Sequence, residues 1–200
     1  MDKRLMLILA SRSPRRNDLL QQFGYRFRVM PSRAEELTAD ADNVREIVVE
    51  NAERKGREVI SRIRAGDFPE SDRVLVVGAD TLVSMAGKVF GKPKDLDEAL
   101  AFLQELGGKP HQVHSGVFLH DLTTATDRSF CVTTQVTIKP MTEAEILRLF
   151  QKVTPLDKAA GYGFQSAPEI VSKLEGCANN VIGLPMDHLT REIDELIRNA

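Results

Sequence analysis

The hydrophobic positions of this chain follow two kinds of pattern, which predict strands and helices along its length. Residues 5–10 and 74–78 are continuous apolar runs of the kind found in strands buried on both faces. Residues 42–64 instead repeat apolar positions at helical spacing within an otherwise polar segment. Strands are predicted at 5–10, 25–30, 74–78, 82–89 (a hairpin turning at Ala86-Gly87), 113–120, 129–138 and 170–174. Helices are predicted at about 14–23, 42–64, 96–106, 142–150 and 183–198.

Residues at the ends of these segments support their boundaries. Ser13 precedes Pro14 as a helix N-cap would, and Asp95 with Glu98 forms a plausible capping pair for the helix at 96–106. A turn is expected at 66–72. Strands and helices alternate, and 113–120 and 129–138 are expected to pair as antiparallel neighbours, so we predict an α/β fold with a mixed sheet flanked by helices. No repeat or linker interrupts the pattern, so residues 1–200 are expected to form a single domain.

Composition limits the partners that the chain can have. Its 200 residues carry a formal net charge of -2, which makes a nucleic acid polymer or an anionic membrane an unfavourable partner. The six apolar residues after Met-Asp-Lys-Arg are too few for a signal segment, and no stretch approaches the roughly 20 residues of a membrane span. Cys131 and Cys177 fit neither a disulfide framework nor a zinc motif, and the four histidines, expected on element surfaces, add no ligand spacing. We therefore expect a cytoplasmic protein.

The segment from Ser11 to Arg16 carries the strongest local signal for anion binding. A buried strand leads through it to a helix N-terminus, where unpaired N–H groups and the helix dipole favour a phosphate. The hydroxyls of Ser11 and Ser13 and the guanidinium groups of Arg15 and Arg16 add donors suited to phosphate oxygens. The alternative is ordinary helix capping with the arginines on a solvated face. The segment matches neither a Walker loop nor a dinucleotide fingerprint.

Asp80 is a candidate metal ligand or general base. It follows the run 74–78, so its carboxylate is expected where a buried strand opens into a loop. A turn aspartate that caps Thr81 would produce the same local sequence. Glu35-Glu36 is either a source of a second carboxylate for a cation such as Mg²⁺ or a solvated charge run.

Three lysines stand in unusual settings: Lys55 on the polar helix, Lys92 in a Gly-Lys-Pro turn, and Lys158 in a segment rich in small residues. The last segment continues to Tyr162 and Gln165, which could stack on a base and bond to its edge. A tight loop with a packed tyrosine is the alternative.

Six motifs in the same order make the chain recognisable. They are Ala10-Ser11-Arg12-Ser13-Pro14-Arg15-Arg16, Gly78-Ala79-Asp80-Thr81, Gly91-Lys92-Pro93, Leu156-Asp157-Lys158-Ala159, Tyr162-Gly163-Phe164-Gln165 and Val181-Ile182-Gly183-Leu184-Pro185. With these motifs the chain resembles the Maf family. The resemblance implies a nucleoside triphosphate pyrophosphatase that uses a divalent cation, an elongated α/β fold related to inosine triphosphate pyrophosphatases, and a homodimer.

Within that family the chain is similar to the branch that acts on dTTP and UTP. The resemblance makes Arg15, Thr81 and Gln165 the specificity positions, since the branch acting on 7-methyl-GTP usually has Trp after Ser-Pro and Asp-Gln at the strand end. It makes Asp80 the proton acceptor. The chain departs from the family pattern at Ala160-Gly161, where Gly-Ala is usual, and at Glu35-Glu36, where Asp-Glu is usual.

The resulting hypothesis is a hydrolase that releases pyrophosphate from dTTP and UTP. The expected catalytic residues are Asp80, Lys55, Lys92 and Glu36, with Mg²⁺ or Mn²⁺ on Glu36 and Asp80. The expected substrate-binding residues are Ser11, Ser13, Arg15, Arg16, Thr81, Lys158 and Gln165. Two alternatives remain. One is a pyrophosphatase acting on inosine triphosphate, 7-methyl-GTP or a modified pyrimidine nucleotide such as a modified uridine triphosphate, and the other is a regulator of cell division that binds a nucleotide without hydrolysing it.

Overall fold

Seven strands and six α-helices follow one another in the computed structural model, which describes residues 5–40, 42–64, 67–68 and 73–198. The strands are β1 (Leu5–Leu9), β2 (Phe27–Val29), β3 (Arg73–Met85), β4 (Lys88–Phe90), β5 (Pro110–Asp121), β6 (Thr126–Ile138) and β7 (Val171–Glu175). The helices are α1 (Pro14–Gln22), α2 (Val44–Ile60), α3 (Leu96–Leu106), α4 (Glu143–Phe150), α5 (Ala178–Ile182) and α6 (Met186–Arg198).

All seven strands belong to one mixed sheet, as the sequence predicts. Its order is β2-β1-β3-β5-β6-β7, and β4 pairs with β3 as the second strand of a hairpin. The pairs of β1 with β2 and with β3 are parallel, whereas β5, β6 and β7 continue the sheet in antiparallel fashion. The parallel part therefore lies at one end of the sheet, where β1 delivers the chain to α1.

Helix α2 lies unusually close to one face of the sheet because glycines face it. A methyl group at Gly78 would lie 2.0 Å from the carbonyl oxygen of Ala52, and one at Gly116 would lie 2.1 Å from that of Val48. Glycine is required where two backbones approach this closely. The short distance brings the side chains on the buried face of α2 directly over β3.

The other face of the sheet holds two separate hydrophobic clusters. Helices α1 and α6 pack on the first, which includes Val77 of β3 and Val117 of β5. Helices α3 and α4 pack on the second, which includes Val83 of β3 and Val113 of β5. Between them, Thr81 and Ser115 are paired in register and bond through their hydroxyls at 2.9 Å. This polar pair interrupts the apolar alternation and separates the two clusters.

The main departure from the predicted elements concerns β3. It runs to Met85 instead of ending near residue 78, because β5 pairs with it from Leu75 to Ser84, well beyond its last pair with β1 at Val77. Asp80 consequently lies within a strand, opposite Gly116, and neither the predicted strand end nor the turn that caps Thr81 is correct.

Smaller departures lie at segment ends. The predicted helix at 183–198 begins only at Met186, and the short helix α5 precedes it. Helix α2 and strand β2 are shorter than the predicted 42–64 and 25–30. Ser13 occupies the N-cap position of α1, but its side chain makes no capping bond. The turn predicted at 66–72 falls mostly outside the described residues. Across the described chain, no helix has the length and apolar character needed to cross a membrane.

Candidate active site

A cleft of about 580 Å³ opens where β1 ends, and the residues predicted to form the site line it. These are Ser11, Ser13, Arg15, Arg16, Glu36, Lys55, Asp80, Thr81, Lys92, Lys158 and Gln165. Of the described residues around the cleft, seven are basic and three are acidic, an excess of four positive charges in a chain whose formal net charge is -2. The cleft therefore attracts anions, although the whole molecule does not.

The cleft exists because the edge of β3 is open for a short stretch. The carbonyl of Val77 still accepts a bond from the N–H of Ala10, and β4 joins the same strand only from Val83. Ala79 lies between Val77 and Val83, in the stretch where this edge of β3 is unpaired. Its carbonyl oxygen faces the open edge, where Nη1 of Arg16 donates to it at 3.0 Å. The Arg16 side chain thus supplies the hydrogen-bond donor that a neighbouring strand would otherwise provide, because a buried backbone carbonyl needs a partner.

Arg16 connects three segments of the chain beside this edge. Besides Ala79, its guanidinium donates to the hydroxyls of Ser11 and Thr81 at 3.0 Å each and to the carbonyl of Gly183 at 2.8 Å. The residue is only 8% exposed, and this burial lowers the pKa of the guanidinium despite the opposing field of Asp80. Together these bonds use four of the five N–H groups of the Arg16 guanidinium.

Ser11 keeps its hydroxyl proton for a ligand. Its oxygen accepts bonds from the backbone N–H of Ser13 at 3.2 Å and from Arg16 at 3.0 Å. A hydroxyl has one proton and two lone pairs, so both acceptor positions are filled and the donor remains. The N-terminus of α1 lies beside it, where backbone N–H groups also lack intrahelical partners.

Asp80 is held from both sides by residues of α2. Nζ of Lys55 lies 2.7 Å from one carboxylate oxygen, and Nδ2 of Asn51 donates to the other at 3.0 Å. The same Lys55 ammonium lies 2.6 Å from a carboxylate oxygen of Glu36, which belongs to the irregular segment between β2 and α2. Two carboxylates and one ammonium thus converge at the floor of the cleft.

The basic surroundings keep Glu36 ionised. Burial by itself raises the pKa of this carboxyl, but the ammonium of Lys55, with smaller contributions from Lys92 and Arg16, lowers the pKa below its ordinary value. Glu36 is therefore an anion throughout the neutral range.

Another part of the cleft wall is an ion-paired network between α1 and the segment that connects α4 to β7. Nη1 of Arg15 donates to Asp157 at 2.9 Å, and Nζ of Lys158 lies 2.6 Å from the other carboxylate oxygen of Asp157. A methyl group at Gly163 would come within 2.7 Å of the Lys158 side chain, so this glycine makes room for the lysine. Arg15 and Lys158, from distant parts of the sequence, are placed side by side.

Tyr162 forms part of the cleft lining and is held by a histidine. Its hydroxyl lies 2.7 Å from Nε2 of His111, and Nδ1 of His111 lies 3.3 Å from the carbonyl of Lys109. His111 and His114 are each 1% exposed, so the expectation that the histidines lie on surfaces is wrong for these two. Gln165, by contrast, is exposed at the cleft.

Sequence reasoning missed Asn51, although a signal for it existed. Asn51 and Lys55 lie four residues apart on the buried face of α2, together with Val48, Ala52 and Val59. Polar side chains within an apolar helical stripe need buried partners, and here the partners are Asp80 and the segment that carries Glu36.

Comparison with known proteins gives a full-length match. The family model described as Maf-like protein matches residues 6–196. A dTTP/UTP pyrophosphatase of Carboxydothermus hydrogenoformans is 36% identical over 192 residues, which cover 96% of this chain and 98% of the relative. A dTTP/UTP pyrophosphatase of Caldicellulosiruptor bescii is 39% identical, covering 95% of this chain and 94% of the relative. The chain therefore belongs to the family of Maf-like proteins.

Proposed function

We propose that this protein hydrolyses dTTP and UTP to the nucleoside monophosphate and pyrophosphate. The observation that carries the proposal is the Asp80 carboxylate, oriented from two sides at the floor of a basic cleft. Support for the substrate comes from relatives named dTTP/UTP pyrophosphatase that match nearly the whole chain.

The triphosphate binds along the α1 side of the cleft. Ser11 donates its remaining proton to a phosphate oxygen, and the N-terminus of α1 supplies backbone N–H groups. Ser13, Arg15, Lys92 and Lys158 provide further donors and positive charge around the same space. Arg16 acts differently, since its bonds to Ala79 and Gly183 hold the walls of the site together.

Hydrolysis requires attack of a water molecule on the α-phosphorus. The bond from that phosphorus to the oxygen that bridges it to the β-phosphorus breaks, and pyrophosphate leaves. Asp80 accepts the proton of the attacking water, because its two oxygens are fixed by Lys55 and Asn51 while the carboxylate faces the cleft. Lys55 and Lys92 balance the negative charge that develops on the phosphate groups.

The acidic residues fit a divalent cation such as Mg²⁺ or Mn²⁺. Glu36 and Asp80 contact the same ammonium at 2.6 and 2.7 Å, so their carboxylates lie close together. One or two carboxylates together with phosphate oxygens are the ligands that Mg²⁺ prefers in nucleotide sites. When bound there, the cation neutralises phosphate charge and polarises the phosphoryl oxygens.

Arg15, Thr81 and Gln165 select the base. Gln165 is exposed at the cleft and carries both a donor and an acceptor, which can pair with the edge of a pyrimidine. Replacing Gln165 with Ala should change the ratio of kcat/KM between UTP and GTP. An equal loss of kcat/KM for every nucleotide would contradict this role.

The test of the proposed function is pyrophosphate release from a panel of nucleoside triphosphates, with and without Mg²⁺ or Mn²⁺. Metal-dependent turnover highest with dTTP and UTP is expected. Preference for inosine triphosphate or 7-methyl-GTP would favour another pyrophosphatase, and tight binding without release would favour a division regulator. We also propose a homodimer in the cytoplasm, and light scattering of the purified protein tests the dimer.

A further inference from the structure

The amide of Asn51 uses its oxygen and both of its protons on two residues of the candidate site, Leu37 and Asp80. Its Oδ1 accepts the backbone N–H of Leu37 at 2.7 Å. Its Nδ2 donates one proton to the carbonyl of Leu37 at 3.1 Å and the other to Asp80 at 3.0 Å. The residue is 2% exposed, so no water competes for these positions.

These bonds fix the orientation of the amide. If oxygen and nitrogen were exchanged, an NH₂ group would face the N–H of Leu37, and an oxygen would face the carboxylate of Asp80. Both contacts are repulsive, so only one orientation satisfies the surroundings. Asn51 is therefore a fixed donor toward Asp80.

The second partner, Leu37, follows Glu36 directly in the sequence. The bonds of Asn51 to both backbone groups of Leu37 hold this irregular segment against α2. Farther along α2, Glu58 holds the same segment by accepting the backbone N–H of Arg33 at 3.0 Å. Glu58 does not line the cleft. Replacing it therefore tests the effect of loosening the segment without removing a contact to Asp80.

We propose that Asn51 is a positioning residue that couples the proton acceptor Asp80 to the segment carrying Glu36. One amide orients the carboxylate through Nδ2 and fixes the backbone beside Glu36 through its bonds to Leu37. Displacement of the segment at Leu37 therefore disturbs Asp80, and the bonds of Asn51 keep the two carboxylates in a constant relation to each other. This inference rests on the proposed function.

Two substitutions probe these contacts. Asn51→Asp keeps an oxygen for the N–H of Leu37 but removes Nδ2, and with it the donors to Asp80 and to the carbonyl of Leu37. Asn51→Leu removes the bonds to Leu37 and to Asp80, while the leucine side chain has a size similar to that of asparagine. Glu58→Ala is the matched control, because it releases the segment at Arg33 and leaves Asp80 untouched.

The measurements are kcat and KM for dTTP and UTP, together with amide hydrogen exchange of residues 31–40. Asn51→Asp is expected to lower kcat about 10- to 100-fold, the usual cost of misplacing a reacting group, while exchange at Leu37 stays slow. Asn51→Leu is expected to lower kcat similarly and to speed exchange at Leu37. Glu58→Ala is expected to keep kcat within about twofold and to speed exchange only near Arg33.

Folding is checked by thermal melting of each variant. A folded Asn51→Asp protein with wild-type kcat would overturn the positioning role, as would an equal loss of kcat in Glu58→Ala. Failure of the wild-type protein to release pyrophosphate would refute the proposed function instead. In that case unchanged exchange at Leu37 in Asn51→Leu would still overturn the coupling, and faster exchange would support it.

Discussion

At the scale of single residues, the walls of the cleft are held by side chains that already donate most of their N–H groups to other parts of the protein. Arg16 gives four of its five N–H groups to protein acceptors and Asn51 gives both amide protons. The hydroxyl of Ser11 accepts two bonds from described residues and keeps its proton. A basic residue in a nucleotide site is therefore not automatically a phosphate ligand, because burial and existing partners decide its role.

Arg16 offers a direct test of this distinction. Arg16→Met should reduce the free energy of unfolding by about 3 kcal/mol or more, because the carbonyls of Ala79 and Gly183 lose their shortest hydrogen bonds and keep only contacts of 3.5 Å to Lys55 and Thr81. Arg16→Lys should recover little, since one ammonium cannot reach acceptors in three segments. Urea unfolding measures both effects. The control is Arg12→Met, an exposed position in the same cleft, and an equal loss there would contradict the account.

The buried histidines predict how stability depends on pH. Burial lowers the pKa values of His111 and His114, so between the folded and unfolded pKa values the unfolded chain binds more protons. Stability should therefore fall as the pH drops below about 6.5, by at most about 1.4 kcal/mol per pH unit for each histidine. His111→Gln should make this dependence shallower in urea unfolding between about pH 7 and pH 5.5. An unchanged dependence would show that His111 does not contribute.

At the scale of elements, the position of α2 sets the geometry of the site. Its buried face presents Asn51 and Lys55 to Asp80, and this is achieved because Gly78 and Gly116 let the helix backbone approach the sheet. The close approach depends on two glycines of the sheet, and it determines which side chains of α2 contact Asp80, the proposed proton acceptor.

Gly78→Ala should therefore impair both stability and turnover. The added methyl group would lie 2.0 Å from the carbonyl oxygen of Ala52, so α2 must move away from β3. Overpacking of this kind costs about 1–3 kcal/mol, and the shift should lower kcat because it carries Asn51 and Lys55 away from Asp80. Gly91→Ala is the stability control, since a methyl group there meets nothing within 4 Å. Equal melting temperatures of the two variants would contradict the argument.

Much of the element pattern follows from local sequence, but the environment of Asp80 does not. The buried runs, the Ala86-Gly87 hairpin and the capping pair of Asp95 with Glu98 are local signals, and the structure has them where predicted. Asp80 lies in mid-strand because β5 pairs beside it, a contact between residues about 36 positions apart that no local pattern encodes.

The candidate site likewise contains residues that the sequence predicts and contacts that only the tertiary structure shows. Its residues were predicted mainly by family resemblance, and the structure brings them around one cleft. Asn51 was missed because a polar residue on a polar helix suggests a surface position, whereas its burial depends on how closely α2 approaches β3. The pairing of Arg15 with Asp157 spans 142 residues and likewise depends on tertiary structure.

At the scale of the whole molecule, charge and topology favour one position for the proposed nucleotide site. The sheet changes from parallel to antiparallel at β3, and its edge is open between the end of β1 and the start of β4. The described residues around this opening carry an excess of four positive charges, in a chain of net charge -2. Small anionic substrates are attracted there, while long polyanions are not favoured by the rest of the surface.

We propose Asp80 as the proton acceptor of a nucleoside triphosphate pyrophosphatase. This role is tested by the turnover of dTTP by Asp80→Asn, with pyrophosphate quantified and nucleotide affinity measured in parallel. We expect kcat to fall at least about 100-fold, while the Kd of the nucleotide changes by no more than a few fold. Pyrophosphate release at a rate near that of the wild-type protein would contradict it.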